Sequence, residues 1–153
     1  MKNGIIALSL LLAFNLSAQG DLSPKDAQGR KHGEWRKLYD TKKIRYTGTL
    51  EHGIPVDTFR YNFPNGQISA LNVFRGKTGN CYSFQYGDGK KLAAEGLFKQ
   101  QQKDSVWTYY NAEGQVIGRE TYKNGVKHGP AQTYRLDGRV DKKVMYRNDK
   151  LSN

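Results

Sequence analysis

The chain has 153 residues, with 25 Lys and Arg against 14 Asp and Glu, 17 glycines, 10 tyrosines and one cysteine. That length suits one domain, and a lone cysteine excludes an internal disulfide framework. The formal charge of +11 favours anionic neighbours: surface glycans, lipid headgroups or an acidic protein.

The first element reads as a targeting segment. Lys2 gives a positive start, Ile5 to Leu16 is apolar, and Ser17-Ala18-Gln19 is small and polar. This is the layout of a secretory signal peptide, expected over residues 1–18 with a cut after Ala18. The apolar run is too short to span a bilayer comfortably, which takes about 20 residues. No second apolar span follows, so no transmembrane segment is expected in the mature chain. The protein is therefore expected to be exported, periplasmic or secreted. Nucleic acid fits the charge but not that address. Residues 19–28 read as a short linker.

Residues 29–150 read as five units of a 24-residue repeat. One column is Ile44, Ile68, Leu92, Val116, Val140; six places on stand Leu50, Phe74, Phe98, Tyr122, Tyr146. A period of this size means stacked supersecondary units. The first unit runs from Gly29 through Trp35 and Tyr39, turns near Asp40–Lys43, and returns from Ile44 to Leu50. The second carries Phe59, Tyr61 and Phe63, then Pro64-Asn65-Gly66. The third carries Tyr82, Phe84 and Tyr86 before Gly87-Asp88-Gly89, the fourth Trp107, Tyr109 and Tyr110 before Asn111–Gly114, and the fifth Tyr134 before Asp137-Gly138.

Asn65-Gly66, Asp88-Gly89 and Asp137-Gly138 are hairpin signals, because both residue types accept positive φ. The links between units, such as Asn124-Gly125 and Asn148-Asp149, carry turn chemistry too. The expectation is an all-β fold: an elongated, single-layer antiparallel meander of about ten strands. No helix is expected; Lys91–Gln102 is the nearest candidate, and Gly96 interrupts it. In the third unit Gly76 and Tyr82 fall one place early relative to Gly53 and Phe59. A one-residue slip flips a strand's faces unless a bulge absorbs it, and the compensation is expected near Gly87-Asp88-Gly89.

The repeat, roughly His/small-Gly-x-Trp-x-x-Tyr-x-x-x-Gly followed by an aromatic and Lys/Arg-x-Gly, resembles the MORN repeat (membrane occupation and recognition nexus). It looks closest to the bacterial YwqK-family variant, whose members carry an antitoxin label. The match runs from about Gly29 to Asn148. The resemblance implies a twisted sheet of hairpins used for binding or assembly. The chain departs from the pattern where Ala131 replaces the Trp column and where Lys42 and Gln101 replace turn glycines.

Two columns are candidate binding surfaces. Trp35, Phe59, Tyr82 and Trp107 form an aromatic column that ends at Ala131. It stacks the sheet internally, or serves as a sugar or peptide platform if it faces solvent. Arg75, Lys99, Lys123 and Arg147 recur before the inter-unit links, with Glu51 as the odd member. Two strands per repeat advance about 9–10 Å, so this basic comb would line one edge over about 30 Å.

No catalytic residue, metal ligand or cofactor is expected. His32 and His128 stand four periods apart, and His52 falls in a turn column. Glu34, Asp57, Glu95, Glu113 and Glu120 are scattered over different columns. Cys81 shares a column with Gly33, Asp57, Ser105 and Gly129, which suits a small residue at a strand entry. No nucleophile elbow, phosphate loop or zinc spacing appears.

The leading expectation is a non-catalytic exported scaffold that binds another envelope protein or itself. The alternative is a binder of anionic glycan or lipid headgroups through the basic edge, which salt would weaken. A hydrolase of wall material rests on location alone. The degenerate fifth unit reads as a cap, since terminal repeats are usually atypical.

Overall fold

The computed structural model describes residues 20–152, so the expected signal peptide lies outside the described residues. Eleven strands follow one another: β1 Gly33–Leu38, β2 Ile44–Glu51, β3 Ile54–Asn62, β4 Ile68–Phe74, β5 Cys81–Tyr86 and β6 Leu92–Lys99. Then come β7 Gln102–Tyr110, β8 Val116–Lys123, β9 Val126–Tyr134, β10 Val140–Arg147 and β11 Lys150–Ser152. They form one sheet in strict sequence order, every neighbour antiparallel. The all-β meander expected from the repeat is therefore the observed fold, with eleven strands rather than about ten because Lys150–Ser152 adds one more. The candidate helix window forms β6, and among the described residues the one helical element is a short 3₁₀ turn at Asp88–Lys90.

Two kinds of turn alternate. Inside each unit a five-residue turn closes on itself. Tyr39 N–H donates to Lys43 O at 2.8 Å while Lys42 N–H donates to Tyr39 O at 2.8 Å, and the pattern recurs at Phe63–Gln67, Asn111–Gln115 and Arg135–Arg139. The fourth position is left-handed at Lys42, Gly66, Lys90, Gly114 and Gly138. The two lysines there adopt a conformation that side chains disfavour. Asn65 and Asp137 act differently from the expectation. They keep negative φ, and Asn65 Oδ1 and Asp137 Oδ1 accept from the N–H groups of Gln67 and Arg139 at 2.9 Å each.

The links between units are two-residue turns with positive φ at both places: His52-Gly53, Gln100-Gln101, Asn124-Gly125 and Asn148-Asp149. This is the turn type whose twist matches the flanking strands. Each link is tied to an earlier odd-numbered strand or its lead-in. Gly53, Gly125 and Asp149 N–H donate to Lys31, Lys103 and Lys127 carbonyls at 2.6, 2.8 and 2.9 Å.

The third unit departs from this scheme, but not by a slip. In the other units the column Gly33, Asp57, Ser105, Gly129 adopts positive φ and bulges the strand, whereas Cys81 does not. β4 and β5 pair without a register shift, from Phe74↔Cys81 to Ala70↔Gln85. Without the bulge, the link opens into a longer loop over Arg75–Asn80. The 24-residue count therefore holds through the unit, and the expected compensation at Gly87-Asp88-Gly89 is not needed. Cys81 is buried at the first position of β5.

The described part of the expected linker, residues 20–28, is pinned to the sheet. Leu22 exchanges both backbone hydrogen bonds with Arg36 at 2.8 and 2.9 Å, and Lys25 bridges Lys31. Asp21 accepts from Leu38 N–H at 2.8 Å and pairs with Lys37. This segment gives β1 the neighbour that an open first strand lacks.

Candidate functional site

The repeat count decides what shares a face. Trp35, Phe59, Ser83, Trp107 and Ala131 are spaced by one period and project to the same side. Tyr82 therefore leaves the aromatic column and points to the opposite face, where it is 39% exposed. Nor is the column a platform. Phe59 and Trp107 are 6% and 0% exposed, so these rings are core rather than a surface on which a sugar could stack.

Each buried ring lies over a glycine of the preceding strand. A β-carbon on Gly48 would stand 2.3 Å from the Phe59 ring, and one on Gly96 would stand 2.4 Å from Trp107. Phe98 packs edge-on to Trp107 at 4.9 Å between centroids. The indole N–H groups repeat as well: Trp35 Nε1 donates to Pro24 O and Trp107 Nε1 to Leu97 O, each at 3.1 Å. A lysine covers the outer face of both rings. Lys31 Nζ lies 4.5 Å from the Trp35 centroid and Lys103 Nζ 4.3 Å from that of Trp107, a cation–π arrangement.

Around Lys103 the ring face gathers a polar cluster. Lys103 Nζ donates to Tyr109 Oη at 3.1 Å, Tyr109 and Tyr122 hydroxyls are 3.2 Å apart, and Tyr122 Oη donates to Glu120 Oε2 at 2.6 Å. Lys127 Nζ meets Glu120 Oε1 at 2.5 Å. Burial works against ionisation of Glu120, but hydrogen bonds from Lys127 and Tyr122 outweigh it and hold its carboxyl below the usual range. Burial, then the Glu120 carboxylate, push the Tyr122 hydroxyl well above its ordinary value. Every member has a partner, so the cluster ties β7, β8 and β9 together.

In the third unit this scheme gives way. Asn72 and Ser83 stand where the fourth unit has Gly96 and Trp107, and Gly79 where it has Lys103. A cavity of about 590 Å³ opens there, lined by Asn72, Phe74, Gly79, Cys81, Tyr61 and Phe98 among others. Asn72 Oδ1 and Ser83 Oγ are buried without a hydrogen-bond partner. Burial raises the Cys81 thiol above its ordinary pKa, which keeps it protonated and unreactive.

The basic comb lies at one margin, each member at or just beyond the end of an even strand, and all four are exposed. Lys99 is engaged: its Nζ pairs with Asp104 Oδ1 at 2.8 Å. Lys77, not Arg75, answers the odd member Glu51, at 2.7 Å. Arg75, Lys123 and Arg147 form no ion pair among the described residues. The comb thus offers three free cations rather than four.

Two of the histidines meet. His32 and His52 rings are 4.6 Å apart, and His52 Nδ1 lies 2.7 Å from Asp26 Oδ2. Asp26 Oδ1 accepts from the N–H groups of Gln28 and Arg30 at 3.0 and 2.9 Å. The bond to His52, then those from Arg30 and Gln28, drive its pKa far below the usual carboxylate range. The sequence comparison of His32 with His128 missed this pair; the signal was the 20-residue spacing between one column and the next inter-unit link. The same spacing places Asn80 Oδ1 on Gln100 N–H at 3.2 Å and His32 Nδ1 on His52 N–H at 3.3 Å. The histidines belong to a structural series that caps link amides. Among the described residues, no three His, Cys, Asp or Glu side chains are placed to hold a metal ion.

The opposite face carries an apolar patch. Leu71 pairs with Phe84, Val73 with Tyr82, and Tyr82 with Leu97. Tyr82 and Phe84 rings pack at 5.2 Å. All named strands lie in one sheet, so among the described residues no second layer of strands covers this patch. Among the described residues, no helix is long and apolar enough to cross a membrane.

No protein-family model matches the chain, and no curated protein matches it. Among solved structures, it is similar to S. aureus TarM in complex with fondaparinux, α-GlcNAc-glycerol and UDP, at 16% identity and a TM-score of 0.46 over 61% of this chain. A second TarM structure aligns at 17% identity and 0.46 over 63%. The alignments span 19% of the TarM chain in each case.

Proposed function

We propose that the protein is a non-catalytic exported scaffold of MORN-like hairpin repeats whose partner is another envelope protein. The observation that carries this reading is the patch of Leu71, Val73, Tyr82, Phe84 and Leu97 on β4–β6, contiguous across three strands and lacking a second strand layer. Tyr82 is 39% exposed and the other four side chains are half-buried, and contiguous apolar surface that stays partly exposed marks association sites. The leader-like N-terminus supports the address, and the repeat architecture supports a role in presenting surface rather than reacting groups.

The test is capture from envelope extract at low and high salt with three forms of the chain: unmodified, Tyr82→Lys with Leu97→Lys, and Arg75, Lys123 and Arg147 all changed to Gln. A partner held at high salt by the unmodified and Gln forms, and lost with the lysine form, supports the reading. A partner retained by the lysine form sinks it. A sizing column run on the same forms separates self-association from a foreign partner.

A second reading is favoured by the three unpaired cations at one margin: adhesion to anionic glycan or lipid headgroups. Binding of that kind falls steeply with salt and is lost in the Gln form alone.

A further inference from the structure

The third unit breaks the packing scheme of its neighbours in a way that points to a ligand. In the fourth unit Trp107 rests on Gly96, against Phe98, beneath Lys103, with its indole N–H bonded to the chain. One period earlier the counterparts are Ser83, Asn72, Phe74 and Gly79. Asn72, Phe74 and Gly79 all line the 590 Å³ cavity. The cavity is thus lined by the counterparts of the glycine, phenylalanine and lysine that surround Trp107 in the fourth unit, while Ser83, at the position of the ring itself, is buried beside it and does not line it. Tyr61 and Phe98 add aromatic walls, and Gln100, Gln101 and Thr78 form an uncharged polar rim.

We propose that this cavity binds an aromatic side chain bearing a hydrogen-bond donor, a tryptophan or tyrosine presented by a peptide. Three observations agree on that chemistry. The walls are rings, and aromatic pairs prefer edge-to-face or offset packing worth about 0.5–1.5 kcal/mol beyond area burial. The rim carries no charge, which suits a neutral ring rather than an ammonium in a strongly basic protein. Asn72 Oδ1 is buried without a partner, and a rotation of its amide turns that oxygen to the incoming N–H or O–H. A ring without a donor leaves the oxygen unsatisfied and discriminates against itself. The site lies on the ring face, opposite the apolar patch, so it stands or falls independently of the proposed scaffold interface.

The full chain is titrated with N-acetyl-tryptophanamide, N-acetyl-tyrosinamide and N-acetyl-phenylalaninamide while amide resonances are followed. The expected result is saturable shifts centred on Phe74, Cys81 and Phe98, with the phenylalanine compound binding roughly tenfold more weakly for want of one hydrogen bond. The double variant Asn72→Gly with Ser83→Trp rebuilds the fourth unit's packing from within. It should abolish the shifts and raise the melting temperature. Asn72→Leu keeps the cavity walls and should erase the preference for donor-bearing rings. The absence of saturable shifts in the unmodified chain overturns the proposal. So does binding that persists in the rebuilt double variant, or a donor preference that survives Asn72→Leu.

Discussion

Replacing Gly96 by alanine tests the ring-over-glycine packing directly. The added β-carbon would stand 2.4, 2.5 and 2.5 Å from Cδ2, Cε2 and Cγ of Trp107. Carbon atoms prefer about 3.5–4.0 Å, so the indole must retreat by roughly an ångström. Trp107 is fully buried and cannot move without disturbing Phe98 and Lys103. Overpacking of this kind costs about 1–3 kcal/mol, and loss of the Nε1 bond to Leu97 O adds about 1 kcal/mol. The expected loss is therefore about 2–4 kcal/mol. Urea denaturation followed by near-ultraviolet circular dichroism measures it, the signal coming from the packed tryptophans and tyrosines together. Gly118→Ala is the control, because its β-carbon meets nothing closer than Gln132 O at 3.5 Å. It should be neutral, or stabilise by up to about 1 kcal/mol through the unfolded chain. If Gly96→Ala falls within about 0.5 kcal/mol of the unmodified protein, the usual scatter of neutral surface changes, the packing argument is wrong.

Changing Gln100-Gln101 to Asn-Gly should stabilise the β6–β7 link. Both glutamines sit at positive φ, 47° and 65°, and relief of the left-handed strain at Gln101, about 1–2 kcal/mol, exceeds the extra chain entropy of glycine, about 0.4–1 kcal/mol. Calorimetry should show a rise of roughly 3–5 °C; a fall would contradict the turn assignment. Asp26, Asp104 and Glu120 all have lowered pKa values. Their stabilisation is complete above the ordinary carboxylate range and is lost as pH falls through it and below. Asp104→Asn lacks this stabilisation at every pH, so its acid denaturation midpoint should stay or move to higher pH, and a midpoint at lower pH would disagree. Tyr110 is pushed up to about 12 by burial and by its 2.5 Å bond to Glu95. The stability it confers is therefore full below pH 10.0, the ordinary tyrosine value, and is lost as pH rises through about 12. Phenolate absorbance should show one fewer late-titrating tyrosine in Tyr110→Phe.

Much of the fold was legible because its determinants are local. A turn that needs a left-handed residue leaves its mark at each repeat, and the column Lys42, Gly66, Lys90, Gly114, Gly138 adopts positive φ throughout. The inter-unit links were legible for the same reason at Asn124-Gly125 and Asn148-Asp149. The aromatic column was not. Matching by residue type put Tyr82 beside Trp107, whereas the count of 24 puts Ser83 there. Serine gives no hint that its position is core, although it is 0% exposed.

The sequence by itself determined the repeat, the strand-by-strand meander and the turn positions, because backbone conformation and period are written within each unit. The tertiary structure alone decided what crosses between units. It set the rings against Gly48 and Gly96, closed Lys99 onto Asp104, and brought Asp26 to His52. It also turned Tyr82 away from the core and opened the cavity at Asn72. Those outcomes depend on the bulges and on the one unit that lacks a bulge, and a bulge sets which face each later side chain takes.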